Sequence, residues 1–152
     1  MTEQAARAQL LRHLTDTLRS LPPGSALARR HPDLPKAAFA AGTTSRYEND
    51  FADVEEVDGP ASYSIAYWVV GAPLADSDRY FDLVLDAWRE NNWLTQVSQD
   101  APRAGYAETA DGFTFALRQS IQGYLSLFSS TPRFWPGPDE GTPLPDHIDR
   151  PT

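Results

Sequence analysis

The stretch SYSIAYWVVG, residues 62–71, decides how this chain folds. Its side chains fall into two alternating sets, which is the two-residue period of a β-strand. Both sets carry apolar side chains toward the C-terminal end, where Trp68, Val69 and Val70 follow one another. A strand that is apolar on both faces is typical of the interior of a sheet. We therefore expect this strand to be central.

A helix is predicted directly after this strand. Gly71-Ala72-Pro73 ends the strand, and Asp76 or Ser77 can cap the helix. Apolar residues then recur at helical spacing: Tyr80, Phe81, Val84, Ala87 and Trp88. Asn91-Asn92 favours a left-handed stop.

Four further strands are predicted beyond the helix. Trp93, Thr95 and Val97 suggest the next strand, and residues 106–109 suggest another. Asp111-Gly112 indicates a tight hairpin, and a turn near Gln122-Gly123 leads to the last strand. Residues 61–130 thus predict an α+β fold. It has a mostly antiparallel sheet of four to five strands in β-α-β-β-β-β order, with one helix across a face.

Two flanking segments complete a single predicted domain, residues 1–152. Residues 2–21 form an N-terminal amphipathic helix, because leucines recur on one side, and it packs on the sheet or in a partner protein's groove. Residues 22–60 form an irregular acidic segment with a short edge strand near residues 43–47. Residues 131–152 hold six prolines and form an extended Pro-rich tail.

Composition limits the classes of partner. The chain has 152 residues and a formal net charge of -8, which disfavours nucleic acid and anionic lipid. Its sequence holds no apolar run long enough to span a membrane. It has no cysteine, which fits a reducing compartment. A cytoplasmic localisation is expected, with envelope anchoring as the alternative if a leader precedes these residues.

No motif for catalysis is recognisable in the sequence. The three histidines, His13, His31 and His147, lack the spacing of a helical zinc site. The nucleophile elbow, the dinucleotide fingerprint and the phosphate loop are missing as well. We therefore predict no catalytic, cofactor-binding or metal-binding residue, and a protein that is not an enzyme.

Two features are the predicted partner-binding residues. Six acids lie within eleven residues: Glu48, Asp50, Asp53, Glu55, Glu56 and Asp58. They form a solvated loop, a surface that attracts a basic protein, or a calcium site, although their spacing does not fit an EF-hand. In the tail, Phe134 and Trp135 either anchor the segment to the body or contact a partner.

The combined pattern resembles a known group of proteins. It consists of residues 67–71, the helix over residues 80–92 with Trp88, Asp111-Gly112-Phe113, residues 123–127, Ser129-Ser130-Thr131-Pro132 and Gly141-Thr142-Pro143. In these residues, about half of the chain, it is similar to small uncharacterised actinobacterial proteins, many of them mycobacterial lipoproteins of the LppA type. The resemblance implies an α+β fold and little about mechanism. The chain differs from this group in one respect: it lacks the cysteine that those lipoproteins carry in their lipidated signal. A helix that starts at Thr2 favours a cytoplasmic branch.

Two functions follow as hypotheses. The first is a non-enzymatic protein-binding module, in particular an immunity-type protein that neutralises a basic toxin domain. The second is an envelope-associated lipoprotein-like domain or a small-molecule binder. Its pocket is expected between helix and sheet near Tyr67, Trp88 and Phe115.

Overall fold

A computed structural model describes residues 1–46, 60–137 and 141–152 of the chain. In these residues two helices pack on one face of an eight-stranded antiparallel sheet. The helices are α1 (Glu3–Arg19) and α2 (Ser77–Glu90). The strands are β1 (Ala26–Ala28), β2 (Thr43–Arg46), β3 (Ala61–Val70), β4 (Leu94–Ser98), β5 (Ala104–Glu108), β6 (Thr114–Gln119), β7 (Leu125–Ser130) and β8 (His147–Asp149).

Strand β3 lies in the interior of the sheet, as its sequence predicts. The strand order is β4-β5-β6-β7-β3-β1-β8, and β2 also pairs with β3. Strand β7 occupies one edge of β3. Strands β1 and β2 share the other edge, with β1 opposite residues 68–70 and β2 opposite residues 61–64.

The helices bury one face of β3 and its neighbours. Thr2 caps α1, because its Oγ1 accepts a hydrogen bond from the Ala5 amide at 3.1 Å, which confirms the predicted start. Of the predicted leucine stripe, Leu10, Leu14, Leu18 and Leu21 are buried in the core and Leu11 is partly buried against it. From α2, the fully buried Trp88 ring reaches α1, where its Nε1 donates to Thr17 Oγ1 at 3.0 Å. The two helices and the sheet thus share one core.

The predicted turns lie where the sequence places them. Gly112 has φ +90°, and the Thr109 amide donates to the Phe113 carbonyl at 2.9 Å, so Asp111-Gly112 closes the hairpin between β5 and β6. Asn92 has φ +61° at the end of α2, as predicted.

The strand count and order were wrong in the sequence interpretation. The predicted β-α-β-β-β-β series holds from β3 to β7, but two strands precede it and one follows it. Residues 22–60 are therefore not all irregular: they contain β1, and the edge strand predicted near residues 43–47 forms as β2. Strand β1 could not be predicted from the sequence, because its three residues, Ala-Leu-Ala, are too few to show the two-residue period of a strand.

The described residues of the Pro-rich tail are part of the fold and include strand β8, which corrects the prediction of an extended tail. Phe134 is buried and bridges Ala61 through two backbone hydrogen bonds of 2.8 and 2.9 Å. Strand β8 pairs with β1, and the Tyr67 hydroxyl donates to the Pro145 carbonyl at 2.8 Å. The bridge at Phe134, the β8 pairing and this hydrogen bond hold residues 131–137 and 141–152 on the body.

The contact between Thr17 and Trp88 yields a stability prediction. Thr17→Val keeps the shape of the side chain but leaves the buried Trp88 Nε1 without its acceptor. We expect a loss of about 1–3 kcal/mol in the free energy of unfolding, measured by urea denaturation. Thr15→Val is the matched control, because Thr15 makes the same hydrogen bond to a carbonyl four residues earlier but does not contact Trp88. Equal losses in both variants would contradict the prediction.

Tyr67 yields a pH prediction. Burial raises its pKa well above the ordinary value, with a further contribution from Tyr63, so the fold favours the neutral phenol. The resulting stability is complete below the unfolded pKa of about 10 and is lost as pH rises above it. We expect urea denaturation to show a steeper alkaline loss of stability in the native chain than in Tyr67→Phe. Tyr106→Phe is the control, because Tyr106 is exposed, and it should keep the steep alkaline loss of stability. If the stability of Tyr67→Phe falls with pH in parallel with that of the native chain, Tyr67 is not the source of the loss.

Candidate functional site

The sheet face opposite the helices carries an ordered apolar row. Directly paired residues place their side chains on the same face, so the register of β3, β7, β6 and β5 aligns four positions. These positions are Ala66, Phe128, Ala116 and Tyr106. The two alanines are small and the two aromatic rings are large, so the surface of the sheet is recessed at the alanines.

A row of hydroxyl groups runs beside the apolar row. Thr43, Ser64, Ser130 and Thr114 are paired in turn across β2, β3, β7 and β6. Ser64 Oγ donates to Ser130 Oγ at 3.1 Å, which orients two of these hydroxyls. One face of the sheet thus offers apolar contact and hydrogen-bonding groups side by side.

Residues 29–41 cover one end of this face. The Phe39 ring lies 4.9 Å from the Trp68 ring and 5.4 Å from the Phe128 ring, measured between centroids. Trp68 Nε1 donates to the Ala37 carbonyl at 2.7 Å. The Phe39 amide donates to the Arg29 carbonyl at 2.8 Å, and the Arg29 guanidinium donates to the Phe39 carbonyl at 2.9 Å. These contacts fix the segment as a wall on the sheet.

The wall and the two rows enclose a groove of about 470 Å³ that is open to solvent. Its edges are Phe39 on one side and Tyr106, which is 43% exposed, on the other. None of the lining residues in the described parts of the chain carries a charge, and Tyr106 supplies the one ionisable side chain among them. The described lining of the groove is therefore suited to contact with an apolar or mixed surface.

A second cluster at the β5–β6 hairpin has a structural role. His13 Nε2 lies 3.5 Å from Asp111 Oδ2, and its ring packs on Phe113 and Trp93 at 4.9 and 5.2 Å. Burial raises the pKa of Asp111, but hydrogen bonds from the Thr109 hydroxyl and its own backbone amide, together with His13, hold that pKa below its usual value. The Thr109 hydroxyl donates to the carboxylate and does not contact the imidazole, so this is not a nucleophile-base pair. The cluster joins α1 to the hairpin.

The predicted partner-binding residues have different positions. Glu48, Asp50, Asp53, Glu55, Glu56 and Asp58 lie outside the described residues. Phe134 is only 2% exposed and serves as the anchor of the tail, whereas Trp135 is 68% exposed. Partner binding by Trp135 stays a prediction.

Tyr67, Trp88 and Phe115, near which a pocket between helix and sheet was expected, are at most 2% exposed and pack in the core. The groove lies instead on the other face of the same strands. Its residues Ala116, Phe128 and Ser130 were missed. The available signal was the apolar side chain at Phe128, which breaks the polar outer set of its strand.

Comparisons with known protein families, with curated proteins and with solved structures find no significant match to this chain. Within the described residues, no three histidine, cysteine or acidic side chains come together as a metal would need. No helix described in the structure is both long and apolar enough to cross a membrane. The geometry of the groove is therefore the main guide to function.

Proposed function

We propose that this chain is a non-enzymatic protein-binding module that accepts an extended segment of a partner protein in the groove of its helix-free sheet face. The observation that carries the proposal is the groove itself, which is apolar, edged by aromatic rings and, among the described residues that line it, free of charged side chains. Aromatic side chains with partial exposure are frequent anchors of protein interfaces. Tyr106 fits that role.

The shape of the groove favours an extended segment. Its lining residues come from five neighbouring strands, β2, β3, β7, β6 and β5, which at the usual spacing is a length of about 19 Å. It stays open to solvent along that length, whereas small-molecule sites enclose most of their ligand. The row of Thr43, Ser64, Ser130 and Thr114 lies where it can hydrogen-bond a partner backbone.

Charge favours a basic partner. The chain has a net charge of -8, and the six acids between residues 48 and 58 follow β2 and precede β3, two strands that line the groove. Such a distribution attracts a basic protein and speeds its association. The specific form that we propose is an immunity-type protein that neutralises a basic toxin domain, with the acidic segment and Trp135 as further contacts.

A small-molecule binder is the second candidate. The groove volume of about 470 Å³ lies within the usual range of small-molecule sites. An envelope-associated, lipoprotein-like domain would suit such a ligand.

The proposal is tested by site-specific photocrosslinking in the protein's own host. A benzophenone amino acid replaces Tyr106 at the edge of the groove or, as the control, exposed Ala8 on α1. We expect a protein adduct specific to position 106, identified by mass spectrometry. The purified partner should bind more weakly as NaCl rises, because salt screens the attraction.

Variants then assign the contact. Ala116→Arg fills the groove with a long charged side chain, and we expect at least about a tenfold loss of partner affinity, or about 1.4 kcal/mol. Ala8→Arg adds the same charge away from the groove and should bind like the native chain. Replacing the six acids by their amides tests the acidic segment separately and should slow association.

Three outcomes would count against the proposal. They are identical adducts from positions 106 and 8, unchanged affinity in Ala116→Arg, or a partner without basic character. If no protein adduct forms but Ala116→Arg abolishes binding of an apolar fluorescent dye, the small-molecule function takes its place.

A further inference from the structure

Strand β4 forms one end of the sheet, and its hydrogen-bonding direction follows from the neighbouring ladder. The Gln119 amide donates to the Arg103 carbonyl at 3.0 Å, and the Thr109 amide donates to the Phe113 carbonyl. These bonds show that every second residue between Arg103 and Thr109 directs its backbone N–H and C=O groups toward β6. The residues between them, including Tyr106, must therefore direct their backbone groups at β4.

The same alternation fixes which backbone groups of β4 are free. Tyr106 is paired with Gln96, so Gln96 faces β5. Thr95 and Val97 then direct their N–H and C=O groups away from the sheet. No backbone partner for these four groups lies in the described residues.

The side chains of β4 leave this edge unprotected. The strand reads LTQVS and has no charge and no proline, and Leu94 is 75% exposed. Sheet edges are commonly protected by charges, proline or a very short strand. Strand β8, at the other end of the strand order, has three residues with exposed His147 and Asp149. In the described residues, β4 is thus an end strand without the protection that β8 has.

We propose that β4 pairs antiparallel with β4 of a second copy of this chain, in a register centred on Gln96. In that register Thr95 of each copy lies opposite Val97 of the other, so all four free backbone groups form hydrogen bonds. Exposed Leu94 lies opposite Ser98 of the second copy. The arrangement is self-complementary, as a two-fold interface requires.

Charge explains why a second copy can approach here. Each copy has a net charge of -8 and repels the other. Strand β4 itself carries no charge, so like charges are not placed directly opposite one another. Salt should strengthen this association by screening the repulsion, whereas it should weaken the binding of a basic partner in the groove. The dimer goes beyond the proposed function and does not depend on it.

The test is sedimentation equilibrium of the full chain over about 5 to 500 µM, a range that detects weak two-fold association. We expect a monomer-dimer equilibrium that shifts toward dimer as NaCl rises. Gln96→Lys and Gln96→Glu each put like charges at the two-fold axis and should raise the dissociation constant at least about tenfold. Because one is basic and the other acidic, their equimolar mixture should form a heterodimer.

Two further measurements keep the test decisive. Gln122→Lys adds the same charge at an exposed hairpin residue and should dimerise like the native chain. Hydrogen exchange of the Thr95 and Val97 amides should slow as protein concentration rises. A monomer at the highest concentration, or a Gln96→Lys dimer as strong as the native one, would overturn the proposal. A mixture that stays monomeric would overturn the register.

Discussion

The pairing of β3 along both edges is the constraint on which the other elements depend. Its ten residues accept β7 on one side and both β1 and β2 on the other, so segments that are far apart in sequence meet at one strand. The tail joins in two places: Phe134 bridges Ala61 at the start of β3, and β8 pairs with β1. With β3 in place, the helices have one face to cover, and residues 29–41 have the other. A shift in the pairing register of β3 would break all of these contacts at once.

The groove is a consequence of side-chain size on that fixed register. Four strands place Ala66, Phe128, Ala116 and Tyr106 in line, and the alanines leave space that the aromatic rings border. On the helix side, the same strands carry large side chains that fill the core. One sheet therefore has a filled face and a partly open face, without any change in backbone geometry.

Local signals in the sequence were enough for part of this structure. The caps and stripe of α1, the period of α2 and the Asp111-Gly112 turn each lie within a few residues, and all of them form as predicted. Strands β1 and β8 have three residues each, too few to show a local period in the sequence. They are stabilised by pairing with strands far along the chain, so they could not be predicted from local signals. For the same reason the sequence offered only one sign of the groove, the apolar Phe128 among the polar outer residues of β7. Ala66 and Ala116 become neighbours of the Phe128 ring only when three strands are in register.

The two proposed surfaces meet at one point. The apolar row that forms the floor of the groove ends at Tyr106, and the next position in the same row is Gln96 on the free edge. If β4 pairs with a second copy in a register centred on Gln96, the row continues into that copy through its Gln96 and Tyr106. Two grooves would then lie end to end across the two-fold axis, so a partner with two equivalent segments would gain avidity without any new side-chain contact. The geometry of the edge therefore bears on how strongly the open face can bind.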